Sequence, residues 1–243
     1  NGTPNEVAMF NGANPGVELQ LKYFYDAWGT DRTYNHMSIG WAWAFDTPFS
    51  WTKQVVSHFG GTKQGMAISW PKVIGDKGGI RHQFHHVIDI MPTILEATGI
   101  PVPEIVDGIA QAPIEGVSML YTFGDAQAEG RHKTQYFEIF GNRAIYADGW
   151  FAGTIHKAPW EAKPRAALLD DKWELYDTRT DFSLTNDLAA QNPAKLKELQ
   201  ELFLKEAVKY RVLPIDDRSV ERVNAKIAGR PDLMGDRTSL TLH

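Results

Sequence analysis

Three side chains between positions 53 and 63 have the chemistry to bind an anion. Lys53, Thr62 and Lys63 lie on either side of a Gly60-Gly61 pair. Two ammonium groups and one hydroxyl that converge are able to hydrogen-bond and neutralise an oxyanion. Lysines that flank a turn are more often simply solvated, so the spacing by itself leaves both interpretations open.

Local signals around these residues predict the order helix, glycine turn, strand. Thr47 followed by Pro48 is typical of a helix start, because threonine caps the first free N–H groups and proline suits the first helical position. Gly60-Gly61 is expected to end that helix in a left-handed cap. The alternating run Met66–Trp70, closed by Pro71, then predicts a strand.

The run from Thr47 to Lys63, T-P-F-S-W-T-K-Q-V-V-S-H-F-G-G-T-K, resembles the second half of a bacterial arylsulfatase. G-W-A-W-A before it and I-S-W-P after it extend the similarity to the type-I, formylglycine-dependent sulfatases of the alkaline-phosphatase superfamily. In that family a lysine upstream of a Gly-Gly pair contacts the sulfate ester and its leaving oxygen. The resemblance implies this catalytic role for Lys53 and substrate-binding roles for His58, Thr62 and Lys63.

The same resemblance implies two groups that the sequence does not contain. Sulfatases use a formylglycine, made from Cys or Ser in C/S-x-P-x-R, and calcium held by an aspartate pair, and neither motif occurs here. We therefore expect the chain to be an internal or C-terminal fragment whose nucleophile and calcium ligands lie in a missing N-terminal half. No residue of this chain is assigned to metal, and the isolated chain is expected to be inactive towards a small sulfate ester.

The remaining patterns predict an α/β chain. Val17–Trp28 has the period of an amphipathic helix with its aromatic residues in the core, and Asp148-Gly149 joins two of several alternating strands. Pro193 opens a long helix with one apolar face. The resemblance places the C-terminal part of the sulfatase sheet, sandwiched by helices, at 1–130. A small antiparallel sheet packed on a long helix is expected at 131–212, and a linker into a further β-rich region at 213–243.

Three histidines and an aspartate in the segment I-R-H-Q-F-H-H-V-I-D permit two interpretations. His82 and His86 could share a helical face near Asp89 and bind zinc, which needs three or four converging ligands. Alternatively, Asp89 caps a helix that Pro92 begins and Gly99 ends.

Composition argues against several classes of function. The chain has 243 residues and a net charge of −5, which argues against a nucleic-acid-binding surface, and no apolar run is long enough for a membrane span. The absence of cysteine excludes disulfides and thiolate chemistry. The alternatives to a sulfatase are a phosphatase or phosphonate hydrolase of the same superfamily, and a module that binds sulfated glycans without cleaving them.

Overall fold

The structure is a computed structural model that describes residues 16–218. Most of the predicted linker at 213–243 lies outside these residues. The helices are α1 Val17–Phe24, α2 Ile39–Asp46, α3 Phe59–Thr62, α4 Ile90–Thr98, α5 Tyr121–Gly124 and α6 Pro193–Lys209, with short 3-10 turns at Tyr25–Ala27 and Val87–Asp89. The strands are β1 Ile105–Val106, β2 Ile109–Ala110, β3 Thr134–Ile139, β4 Asn142–Ala147, β5 Trp150–Thr154 and β6 Glu174–Asp177.

The largest element is an antiparallel sheet in the order β3-β4-β5-β6, and β1 and β2 form a separate hairpin. Tight turns connect β3 to β4 and β4 to β5. In the second turn Asp148 and Gly149 both have positive φ, at 45° and 89°, as the sequence signal requires. The predicted α/β class, with an antiparallel sheet packed on a long helix, is confirmed.

Helix α6 covers one face of this sheet. Leu199, Phe203 and Ala207 lie one turn apart along the helix and are at most 2% exposed. They pack on Ile145 of β4 and Leu175 of β6, which are fully buried. The apolar face predicted from the helical period is therefore the face that packs on the sheet.

No helix in the described range combines the length and the apolarity needed to cross a bilayer.

Residues from the first half of the chain cover the opposite face of the sheet. Phe59 joins Phe151 and Tyr176 in a second buried cluster. The ring of Phe84 stacks on Tyr146 with 3.7 Å between centroids and 10° between planes. Residues on both sides of position 130 thus share one core, and the segment that carries the candidate site rests directly on the sheet.

The predicted helix after Thr47 is wrong. Helix α2 ends at Asp46, and the following segment contains Trp51 and Gln54 at φ values of 70° and 77°, which a right-handed helix does not allow. Gly60 and Gly61 do not end a helix either, because both lie inside α3. The two glycines instead let the backbone of α3 come into direct contact with the backbone of residues 50–55.

The predicted strand at Met66–Trp70 is also wrong. No strand is formed there, and residues 63–69 are exposed to solvent. Alternation alone does not make a strand, because a strand needs a partner to satisfy its hydrogen bonds. The helix predicted at Val17–Trp28 is confirmed as α1 and its 3-10 turn, but Tyr25 and Trp28 are 63% and 43% exposed and are not core residues.

Candidate functional site

Lys53 lies in a loop of unusual backbone conformation, Ser50–Val55, which we call the lysine loop. The lysine is exposed between Trp51 and Gln54, the two residues with positive φ. Such conformations cost about 1–3 kcal/mol each for residues other than glycine, and they persist only where neighbouring groups impose them. The amide of Val55 donates to the carbonyl oxygen of Thr52 at 3.1 Å and closes the turn.

Two glycines hold the lysine loop from one side. The amide of Gly60 donates to the carbonyl oxygen of Ser50 at 3.0 Å. A Cβ at Gly60 would overlap the carbonyl oxygen of Trp51, and a Cβ at Gly61 would overlap that of Val55. Glycine is therefore required at both positions because α3 and the loop backbone are in contact.

The sheet holds the loop from the other side through Asn142, the first residue of β4. Its side chain is 1% exposed, and Nδ2 donates to the carbonyl oxygen of Gln54 at 2.9 Å. The same nitrogen donates to the carbonyl oxygen of Lys157, and Oδ1 accepts from the amides of His156 and Lys157. One buried side chain thus joins the lysine loop to the connection between β5 and β6.

His58 is buried at 4% exposure, and both of its ring nitrogens face protein groups. Nδ1 lies 3.1 Å from Ser57 Oγ, and Nε2 lies 3.2 Å from Glu174 Oε2. The hydrogen bond with His58 lowers the pKa of Glu174, and the Tyr176 hydroxyl also donates to this carboxylate at 3.0 Å. Burial raises the pKa of Tyr176, so its phenol stays protonated as the donor. These contacts fix the orientation of the His58 ring, whose centroid lies 6.1 Å from that of Trp51 in the lysine loop.

Thr62 and Lys63 follow Gly60-Gly61 but make contacts of their own. The hydroxyl of Thr62 donates to the carbonyl oxygen of His58 at 3.2 Å, which uses its only proton. The Lys63 ammonium lies 3.8 Å from the ring centroid of Phe182, with Phe49 and Phe59 at 4.9 and 4.8 Å. Burial lowers the pKa of Lys63. The substrate-binding roles of His58, Thr62 and Lys63 stay predictions.

The sequence did not reveal how many partners the Asp89 carboxylate has. It accepts from the backbone amides of His86 and Val117, at 3.0 and 2.8 Å, and lies 2.9 Å from Nδ1 of both His85 and His132. Burial alone would raise the pKa of Asp89, but these hydrogen bonds outweigh it and lower the pKa far below its usual value. The carboxylate links the start of α4 to His132, two residues before β3.

The predicted cap by Asp89 is wrong, because α4 begins at Ile90 rather than at Pro92 and the Asp89 side chain does not cap it. Gly99 ends α4 at φ 67°, as predicted. The Asp89 side chain instead belongs to a capping box with His86 at the preceding 3-10 turn. In the described part of the chain, no three His, Asp or Glu side chains converge on a possible metal position. The described residues therefore do not fit a calcium site or the zinc interpretation of the histidine segment.

Comparison with known proteins relates the chain to sulfatases. No protein-family model matches it. The chain is 29% identical over 196 residues to an uncharacterized sulfatase of Schizosaccharomyces pombe, an alignment that covers 76% of this chain and 32% of that protein. The chain thus spans about a third of the curated relative it matches.

The similarity to solved structures is partial. A structure from a study of glycosaminoglycan metabolism by Bacteroides thetaiotaomicron is 26% identical at a TM-score of 0.37, covering 54% of this chain and 26% of the other. Ps i-CgsB in complex with k-i-k-neocarrahexaose is 20% identical at a TM-score of 0.39, covering 64% and 32%.

Proposed function

We propose that this chain forms part of a sulfuric ester hydrolase in which Lys53 is the catalytic cation. The observation that carries the proposal is an exposed ammonium on a loop whose backbone is fixed by buried groups, chiefly Asn142 and Gly60. Within the described residues Lys53 forms no ion pair that would neutralise it. The similarity to a sulfatase over most of the chain supports the choice of sulfate as the anion.

The chemistry requires a positive charge at the leaving oxygen. Negative charge grows on that oxygen as the S–O bond breaks, and a positioned donor that meets it there stabilises the transition state more than the ground state. A lysine on a rigid loop suits this task, because little reorganisation is needed when the charge develops. Lys53 would therefore act mainly on kcat.

We propose lesser roles for the other residues. Lys63 would lie at the rim of the sulfate position, where its charge adds to ester binding, and Thr62 would line the same side. His58 would hold the lysine loop in place through the hydrogen bond from its amide to Val55, with its ring fixed by Ser57 and Glu174, rather than contact the ester. The resemblance further implies that formylglycine supplies the nucleophile and calcium neutralises the sulfate oxygens. The residues that would hold calcium are not among those the structure describes.

The test is substitution of the two lysines in the full-length protein. Lys53→Ala should lower kcat for 4-nitrophenyl sulfate by a factor on the order of 10² to 10³. The loss should be larger for sulfate esters with poorer leaving groups, because these develop more charge on the oxygen. Lys63→Ala is the matched control, with a smaller effect that falls mostly on KM.

Two results would overturn the proposal. If Lys53→Ala kept the wild-type kcat for a poor leaving group, Lys53 would not be the catalytic cation. If the wild type hydrolysed 4-nitrophenyl phosphate and not 4-nitrophenyl sulfate, the protein would be a phosphatase. The unfolding curve of Lys53→Ala should match that of the wild type, since Lys53 is exposed. Lys63→Ala should lower the free energy of unfolding by about 0.5–1 kcal/mol, because it removes the cation–π contact with Phe182.

A further inference from the structure

Two nearly parallel indole rings meet where the lysine loop contacts the connection between β5 and β6. Trp51 belongs to the lysine loop, two residues before Lys53, and Trp160 belongs to the connection between β5 and β6. Their ring centroids are 6.0 Å apart and their planes differ by 11°. Trp160 is 48% exposed, whereas Trp51 is partly buried, so Trp160 offers the larger open aromatic surface.

Arg165 fixes the pair from the same connection. Its guanidinium lies 4.8 Å from the ring centroid of Trp51 and forms hydrogen bonds of 3.0 and 2.8 Å with the Glu161 carboxylate. The Arg165 amide donates to the carbonyl oxygen of His156 at 2.9 Å, which folds the connection back on itself. Trp51 thus contacts two residues of the connection, Trp160 and Arg165, and these contacts fix the orientation of its ring.

The two segments that carry these rings share one anchor. Asn142 hydrogen-bonds the carbonyl oxygen of Gln54 in the lysine loop and the backbone of His156 and Lys157 in the connection. The position of Trp160 relative to the lysine loop is therefore set by a buried side chain rather than by surface contacts. A ligand that touches both meets a preformed arrangement.

Next to Arg165 the surface opens into a small polar cavity. It has a volume of about 250 Å³, and its lining includes the charged side chains of Asp170, Lys172 and Glu174. Pockets for drug-sized ligands are about 300–1,000 Å³, so this one suits a single ring with polar substituents. A hydroxyl-bearing ring would find both donors and acceptors there, whereas an unsubstituted aromatic ring would leave them without partners.

We propose that Trp51 and Trp160 form a binding platform for the sugar ring of a carbohydrate sulfate ester whose sulfate meets Lys53. This inference rests on the proposed function. The C–H face of a hexopyranose is apolar and packs on an indole, while its edge carries hydroxyls that Arg165 and the neighbouring charged groups are placed to bind. Trp160 is then a specificity-determining residue, and Trp51 holds it against the lysine loop.

The experiment compares glucose 6-sulfate with hexyl sulfate, which has no ring, in the full-length protein. The ratio of their kcat/KM values should fall about tenfold in Trp160→Ala, mainly through KM for the sugar ester. Trp160→Phe keeps an aromatic face and should restore most of the ratio. Trp28→Ala is the matched control, because Trp28 is an indole of similar exposure after α1, and its ratio should equal that of the wild type.

A binding measurement distinguishes failure of this inference from failure of the proposed function. If the wild type turns over no sulfate ester, the proposed function fails, and the platform is judged by the Kd of glucose 6-sulfate from calorimetry. A Kd about tenfold weaker in Trp160→Ala than in Trp28→Ala supports the platform. Equal affinities overturn it, as does an equal loss for hexyl sulfate, which would mean a general loss of loop order. A loss confined to 4-nitrophenyl sulfate would identify an aryl ring as the occupant and overturn the sugar assignment.

Discussion

Replacing Asn142 with alanine should release the lysine loop and destabilise the protein. The side-chain amide uses its full capacity of two donors and two acceptor positions, on Gln54, on His156 and twice on Lys157. Alanine would leave two backbone N–H groups and two carbonyl oxygens without these partners. At about 1 kcal/mol for each lost bond, the free energy of unfolding should fall by about 4 kcal/mol. That is a large part of the about 5–15 kcal/mol that stabilises a typical domain.

The assay is equilibrium unfolding in urea followed by tryptophan fluorescence, with kcat for 4-nitrophenyl sulfate measured on the folded protein. We expect a lower midpoint at an unchanged slope, and a reduced kcat because Lys53 loses its fixed position. Asn186→Ala is the matched control, since this asparagine is exposed in the segment between β6 and α6. Its free energy of unfolding should stay within about 0.5 kcal/mol of that of the wild type.

Replacing Asn142 with aspartate distinguishes the effect on the lysine loop from the effect on the connection between β5 and β6. Asn142→Asp keeps the acceptors for the amides of His156 and Lys157 but cannot donate to the carbonyl oxygens of Gln54 and Lys157. The lysine loop should therefore lose its only bond to position 142, whereas the connection between β5 and β6 keeps two of its three. We expect the kcat of Asn142→Asp to fall nearly as far as that of Asn142→Ala. An alanine variant that lost less than about 1 kcal/mol would refute the reasoning, because four buried bonds would then contribute almost nothing.

Two further predictions concern stability. Burial alone would lower the pKa of His132, but hydrogen bonds and charge from Asp89 raise it above its usual value of about 6.5. The stabilisation that His132 contributes is then complete below about pH 6.5 and is lost as the pH rises through its raised pKa. The urea midpoint should therefore decline above about pH 6.5 in the wild type but not in His132→Gln. Gly60→Ala should lower the free energy of unfolding by about 1–3 kcal/mol or more, because its Cβ would overlap the carbonyl oxygen of Trp51. Gly65→Ala is the control: no atom lies near its Cβ, so its free energy of unfolding in urea should equal that of the wild type.

The sheet and α6 were predictable from sequence because their signals are local. Alternating residues and the Asp148-Gly149 turn define the β4–β5 hairpin within a dozen positions, and the 3.6-residue period of Leu199, Phe203 and Ala207 defines the buried face of α6. Each signal concerns residues that become neighbours in the same element. No distant partner had to be known.

The segment around Lys53 was not predictable in the same way because distant residues set its backbone. Gln54 adopts a positive φ while its carbonyl oxygen binds Asn142, 88 positions later. Gly60 and Gly61 carry a signal that fits both a helix cap and a close contact, and only the position of the lysine loop decides between them. The candidate lysine itself came from the resemblance, which needs no knowledge of the local fold.

The strands explain why the candidate site and the antiparallel sheet belong together. Strand β4 begins with Asn142, which holds the lysine loop, and β6 begins with Glu174, which holds His58. Between them, a Cβ at Gly153 of β5 would lie 2.8 Å from the carbonyl oxygen of Ser57, so the segment that leads into α3 sits directly on the strand. Three adjacent strands thus each contribute one contact to the short stretch that carries the lysine. Because these contacts are buried and separated by many positions in sequence, the loop conformation depends on a complete sheet, and Lys53 is positioned by a part of the chain that carries no candidate catalytic group.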